Sequence, residues 1–233
     1  MDSFFISGTD TGIGKTLISA MLLLASGGRY WKPVQSGTIE GTDTETVRKL
    51  TGLGDGHFEK ESYMLEQPLS PHLSAQIDNN HIHIGTILAD YENIQTRGRK
   101  HANADTDAVA DTIDYNSLPL KSFIIEGAGG LLVPLNENDL VIDLIAEIGI
   151  PVILTSRSTL GTINHTLLSL EALRSRNVPV AGVVMSGPFN PENKKAIETY
   201  GRVKVLAEIP VLSEIVKPDL LLFGSRMLDA LRT

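Results

Sequence analysis

The stretch Ser7-Gly8-Thr9-Asp10-Thr11-Gly12-Ile13-Gly14-Lys15-Thr16 constrains this chain more than any other. The apolar run Phe4-Phe5-Ile6 before it reads as a short buried strand. A helical pattern follows, with Leu17, Met21 and Leu24 on one face. A glycine-rich turn between a strand and a helix aims several backbone N–H groups at one point. The helix dipole adds roughly half a positive charge there, so the turn suits a phosphate. Lys15 can reach the outer phosphates and the Thr16 hydroxyl can ligate Mg²⁺. Five residues rather than the usual four separate Gly8 from Gly14, and Thr9 fills the customary first-glycine slot. A turn that merely caps a helix is the bland alternative; Gly-Lys-Thr in this setting favours a P-loop.

At 233 residues the chain is long enough for one large α/β domain, read here as 1–233. Its 28 acidic residues outnumber 20 basic ones, which argues against a dominant nucleic-acid surface. No apolar run approaches the roughly 20 residues that span a membrane. The chain opens on a strand without a basic flank and apolar signal region, so a cytoplasmic location is expected. The absence of cysteine removes disulfides, thiolate metal sites and cysteine nucleophiles. By itself the chain therefore cannot be a glutamine-dependent amidotransferase of the Cys-His-Glu type.

Tyr30-Trp31-Lys32-Pro33-Val34 reads as a second strand, with Lys32 extended because proline follows it. Ligands sit at the carboxyl ends of such strands, so Lys32 is either a ligand contact or a solvated edge lysine. Gln35-Ser36-Gly37 reads as a polar turn. Thr42 to Glu45 fits a capping box opening a helix to about Leu50. Asp43 is then a first-turn carboxylate facing the dipole, or a metal ligand. Pro68-Leu69-Ser70-Pro71-His72 reads as a rigid loop, and a helix is expected over 84–94. His81 and His83 lack further metal ligands nearby in sequence. Residues 95–118 read as a mobile surface segment with one helix near 107–113. Lys121-Ser122-Phe123-Ile124-Ile125-Glu126 reads as a buried strand ending in an acid, then a flexible glycine loop, like a Walker B strand whose acid helps hold Mg²⁺. Further strands are expected at 151–155, 180–185 and 204–207. Helices are expected at 140–147, from about Leu160, after Pro191 and near 223–231. Strands alternating with helices predict a mostly parallel sheet with helices on both faces.

The ordered motifs resemble the dethiobiotin synthetase family over nearly the whole chain. They are the long P-loop, Lys32-Pro33-Val34-Gln35-Ser36-Gly37, Ser70-Pro71-His72, Glu126-Gly127-Ala128-Gly129-Gly130, Leu160-Gly161-Thr162-Ile163-Asn164-His165 and Glu208-Ile209-Pro210. The resemblance implies a single-domain P-loop NTPase fold and ATP- and Mg²⁺-dependent closure of a cyclic urea from 7,8-diaminopelargonate and CO₂. Thr16, Asp43 and Glu126 would hold Mg²⁺, while Lys15 and Lys32 would neutralise carbamate and phosphoryl oxygens. Thr11 and Ser36 would position the substrate beside Lys32. Gly12, Ile13, Gly14, Lys15, Thr16 and Leu17 would hold ATP, with Gly127, Ala128, Gly129, Ser186, Gly187, Pro210, Val211 and Leu212 completing its site. Ser186 stands where family members often carry an adenine-reading asparagine. Gly161, Thr162 and Asn164 would meet the distant carboxylate of the substrate, in a homodimer with shared sites. Two rivals share this P-loop. Cobyrinate-type amidoligases carry a cysteine-dependent glutaminase domain, and ParA/MinD-like switches carry a lysine where this chain has Asp10.

Overall fold

The structure, a computed structural model, describes residues 3–102 and 122–233. Six parallel strands form the main sheet: β1 (Ser3–Gly8), β2 (Arg29–Trp31), β5 (Phe123–Gly130), β6 (Val152–Arg157), β7 (Val180–Ser186) and β8 (Val205–Ile209), in the order β2-β5-β1-β6-β7-β8. A separate parallel pair joins β3 (Val34–Ser36) to β4 (Tyr63–Leu65). The helices are α1 (Lys15–Ser26), α2 (Asp43–Thr51), α3 (Pro71–Ile77), α4 (Ile84–Ala102), α5 (Val141–Ile148), α6 (Thr162–Ser175), α7 (Pro191–Gly201) and α8 (Lys217–Arg232).

The expected α/β architecture is present, and alternation along β1 shows why. Phe4 and Ile6 pack with α1 and α8, whereas Phe5 packs with α4, α5 and α6 on the other face. A strand buried on both faces needs apolar residues throughout, hence the unbroken run Phe4-Phe5-Ile6. Helix α1 is enclosed as well, with Met21, Leu22, Leu23 and Leu24 all fully buried. No helix among the described residues is long and apolar enough to cross a membrane.

Five expectations need correction. The strand foreseen over 30–34 is two, because Pro33 has no N–H to donate to a ladder; the chain leaves the main sheet after Trp31 and starts β3 at Val34. Gln35 and Ser36 belong to β3 rather than to a turn, and the bend falls on Gly37 at φ 78°. Pro71 opens α3 instead of ending a loop, since proline suits a first helical position. The segment after Glu126 is strand through Gly130, in register opposite Gly8; without side chains the two backbones approach closely, and a Cβ on Gly130 would lie 3.3 Å from the Gly8 carbonyl oxygen. Helix α4 also runs to Ala102, beyond the expected end at 94. The helix expected near 107–113 lies outside the described residues.

Candidate active site

Sheet topology places the P-loop, Lys32, the 157–162 turn and Ser186 at the carboxyl ends of their strands, with Glu126 midway along β5 and paired with Ile6. Gly14 turns the chain from β1 into α1 at φ 96°, a conformation that favours glycine. The first turn of α1 has neither a side-chain cap nor an acidic residue. Its positive end therefore faces the loop uncompensated, as an anion site requires. Lys15 is buried, with Nζ 3.0 Å from the Asp10 carbonyl oxygen. Burial, and next the nearby Lys32 ammonium, lower its pKa to about 8. Phosphate charge would relieve both.

Five of the expected residues converge beside this loop. Thr16 Oγ1 lies 3.0 Å from both Asp43 Oδ1 and Glu126 Oε1. Its one proton can serve only one of these acceptors. Lys32 Nζ stands 2.5 Å from Asp43 Oδ2, 3.2 Å from Glu126 Oε1 and 3.1 Å from the Gly127 carbonyl oxygen. The ammonium thus bridges two carboxylates, so Lys32 is no solvated edge lysine; only 4% of it is exposed. Burial works against its charge, but Glu126 and Asp43 outweigh burial and raise its pKa. For Asp43 burial again opposes the charge, and Lys32 overcomes it, lowering the pKa. Asp43 also keeps its capping place. It opens α2 behind the Thr42–Glu45 capping box, and its backbone N–H donates to Gln35 Oε1 at 2.9 Å.

Other expected residues fall around this cluster. Ile13 is buried, and Leu17 packs against the α1–α8 core. Ser186 approaches the P-loop, its Oγ 3.4 Å from where a Gly14 Cβ would be. Gly187 donates its N–H to the Ile209 carbonyl at 2.9 Å, which sets residues 210–212 alongside; Val211 is 76% exposed. Ala128 and Gly129 continue β5 beyond Lys32's carbonyl partner Gly127. The Ser36 hydroxyl is buried without a hydrogen-bond partner, free for one. Thr11 lines a cleft of about 480 Å³ with Asp10, Leu132, His165 and Leu168.

The group 161–164 starts α6 on the far side of that cleft. It shares no hydrogen bond or ion pair with the Lys32 cluster among the described residues. Thr162 departs from expectation. Its hydroxyl donates to the Arg157 carbonyl and the residue is buried, leaving Gly161 and Asn164 exposed. Arg157 in turn reaches the Thr11 carbonyl at 3.3 Å.

A family described as an AAA domain matches residues 2–219. Curated relatives named ATP-dependent dethiobiotin synthetase BioD are 41% identical over 93% of the chain in Lawsonia intracellularis and 46% identical over 94% in Brucella anthropi, covering 92% and 90% of those proteins. This chain belongs to the dethiobiotin synthetase family. The bifunctional biotin biosynthesis protein BioCD of Bordetella avium is 45% identical over 91% of the chain, which spans only 40% of that longer protein. Among solved structures, the MinC:MinD complex of Aquifex aeolicus and a ParA family ATPase from Chlorobium tepidum match with TM-scores of 0.54 and 0.52. They cover 100% of this chain and 95% and 94% of theirs, at 10% and 13% identity. That likeness shows a shared fold, which the dethiobiotin synthetase family puts to its own use.

Reading the sequence missed three residues of the site: Tyr30, Gln35 and Arg157. Tyr30 donates its hydroxyl to Glu126 Oε2 at 3.0 Å. Burial first, then Glu126 and Asp43, hold its pKa well above the usual tyrosine range, so it stays a donor. The signal for Tyr30 was its parity with Glu126 on adjacent strands, which becomes legible only once the β2–β5 register is known.

Proposed function

We propose that the chain is an ATP-dependent C–N ligase that closes the ureido ring of dethiobiotin from 7,8-diaminopelargonate and CO₂, in the cytoplasm. The observation that carries this is the convergence of Thr16, Lys32, Asp43 and Glu126 beside a P-loop, in a chain 41–46% identical to dethiobiotin synthetases. One amine of the substrate takes up CO₂ as a carbamate. A carbamate oxygen attacks the γ-phosphorus of ATP, ADP departs, and a carbamic-phosphoric anhydride forms. The second amine then attacks the carbonyl carbon and expels phosphate. Such phosphoryl transfer depends mainly on positioning and on charge stabilisation. Lys15 would meet the outer phosphates and Lys32 the carbamate, while Thr11 and the unpartnered Ser36 hydroxyl orient the diamine.

The oxygen set of Thr16, Asp43 and Glu126 suits Mg²⁺, which prefers hard ligands and keeps several waters. The Lys32 ammonium already contacts two of these residues, at Asp43 Oδ2 and Glu126 Oε1, so the carboxylates are arranged to stabilise positive charge beside them. Mg²⁺ held there would neutralise charge on the β- and γ-phosphates of ATP. Residues 127–129, 186–187 and 210–212 would complete the nucleotide site.

The test is phosphate release from ATP with diaminopelargonate and bicarbonate supplied together or singly. Strict dependence on both supports the synthetase; stimulation by a macromolecular partner instead would select a ParA/MinD-like switch.

The reading extends to a homodimer in which Gly161 and Asn164 serve the neighbouring subunit, with Thr162 anchoring their turn through its hydroxyl bond to the Arg157 carbonyl. The α6 N-terminus suits a carboxylate, and Leu160, Leu132 and Leu168 nearby are 103%, 58% and 57% exposed, as an interface of copies would need. Mixing Lys15→Ala with Gly161→Trp should restore about a quarter of wild-type activity, the share of intact sites in a random dimer population. No recovery despite verified subunit exchange would place the carboxylate site within one chain.

A further inference from the structure

The roles assigned so far leave Tyr30 unused. It is fully buried on β2, on the sheet face covered by α1. Parallel pairing sets Tyr30 beside Ile124, and Glu126 stands two residues further along β5 on the same face. The two oxygens of that carboxylate are divided. Oε2 accepts the Tyr30 hydroxyl at 3.0 Å, while Oε1 lies 3.0 Å from Thr16 Oγ1 and 3.2 Å from Lys32 Nζ. The Tyr30 ring is itself held edge-on by Phe58, with centroids 6.2 Å apart.

We propose that Tyr30 is a positioning residue that fixes the Glu126 carboxylate so that Oε1 alone faces the metal and phosphate position. The proposal rests on the synthetase reading above. The terminal torsion of a glutamate is broad, so an untethered Glu126 could rotate and offer either oxygen, or both. A hydrogen bond from outside the ligand set removes that freedom, and such partners typically govern metal affinity by about 10–100-fold. The bland alternative is that Glu126 only satisfies a buried hydroxyl. Under that alternative, removing the hydroxyl leaves metal binding unchanged.

The experiment compares wild type with Tyr30→Phe in three measurements. They are Mn²⁺ affinity by electron paramagnetic resonance with a non-hydrolysable ATP analogue, affinity for the analogue without metal, and the Mg²⁺ dependence of turnover. Mn²⁺ affinity should fall about tenfold and the half-saturating Mg²⁺ concentration should rise in parallel. Metal-free nucleotide affinity and KM for the diamine should hold. Unchanged Mn²⁺ affinity overturns the proposal, whatever happens to turnover. An equal loss of metal-free nucleotide affinity also overturns it, since that marks general loosening. Tyr30→Met, which lacks the hydroxyl too, replaces Tyr30→Phe if the latter does not fold. If wild type binds Mn²⁺ and nucleotide but makes no ring, the synthetase reading fails, while the Mn²⁺ comparison still decides the role of Tyr30.

Discussion

Replacing Lys32 with alanine is expected to lower kcat at least about a hundredfold, the scale of losing one preorganised charge-stabilising donor. The side chain is 4% exposed and its ammonium is aimed by Asp43, Glu126 and the Gly127 carbonyl. Little reorganisation is then needed when negative charge develops on the carbamate. ATP affinity should change much less, because Lys15 and the uncapped first turn of α1 hold the phosphates. Steady-state kinetics with a separate nucleotide titration distinguishes these effects. Near-normal turnover would mean that Lys32 only neutralises the two carboxylates. Arginine at this position should not rescue, since a planar fork cannot replace a compact ammonium between two acids.

Gly224→Val is expected to destabilise the fold by about 3 kcal/mol, at the upper end of ordinary overpacking. In a chain of this size that lowers Tm by about 10 °C. A Cβ at Gly224 would sit 2.1 Å from the Met21 carbonyl oxygen and 2.7 Å from Ala25 Cβ. Backbone cannot yield as a flexible side-chain tip does, so α8 must move away from α1. Gly224→Ala sharpens the test. Helix propensity alone would make alanine more stable by about 1 kcal/mol, whereas the contact predicts a net loss. A rise in Tm for Gly224→Ala would show that the two helices can separate cheaply. Nucleotide binding by the folded fraction should be less affected, because Gly14-Lys15-Thr16 lie at the opposite end of α1.

Local signals in the sequence carried most of the architecture. Gly14-Lys15-Thr16 behind Phe4-Phe5-Ile6 located the phosphate turn, and Thr42 with Glu45 located the start of α2, because each depends on neighbours within a few residues. The break at Lys32-Pro33 was half legible. Proline told against a helix, yet only the sheet shows that β3 leaves to pair with β4. Gly127 to Gly130 read as a flexible loop because glycine lacks intrinsic strand preference. Tertiary context reversed this, since β1 requires a partner without side chains where Gly8 faces Gly130. Thr162 looked like a free polar contact, but its hydroxyl is taken by Arg157. Distances between segments more than 25 residues apart, such as Lys32 to Glu126, were beyond any reading of spacing.

Strand β1 is made before both of its sheet partners, yet it lies inside the sheet between β5 and β6. Its partners begin only at Phe123 and Val152. At a synthesis rate of about 5–20 residues per second, the ribosome needs on the order of ten to thirty seconds to deliver both neighbours. During that interval Phe4-Phe5-Ile6, aromatic and uncharged, has two unpaired edges. Segments of that kind recruit other strands. Helix α1 can cover one face early, but it cannot supply backbone partners. Birth of this molecule is therefore its most exposed moment, and nascent chains stalled before Val152 should remain protease-sensitive, becoming resistant only when β6 has cleared the exit tunnel.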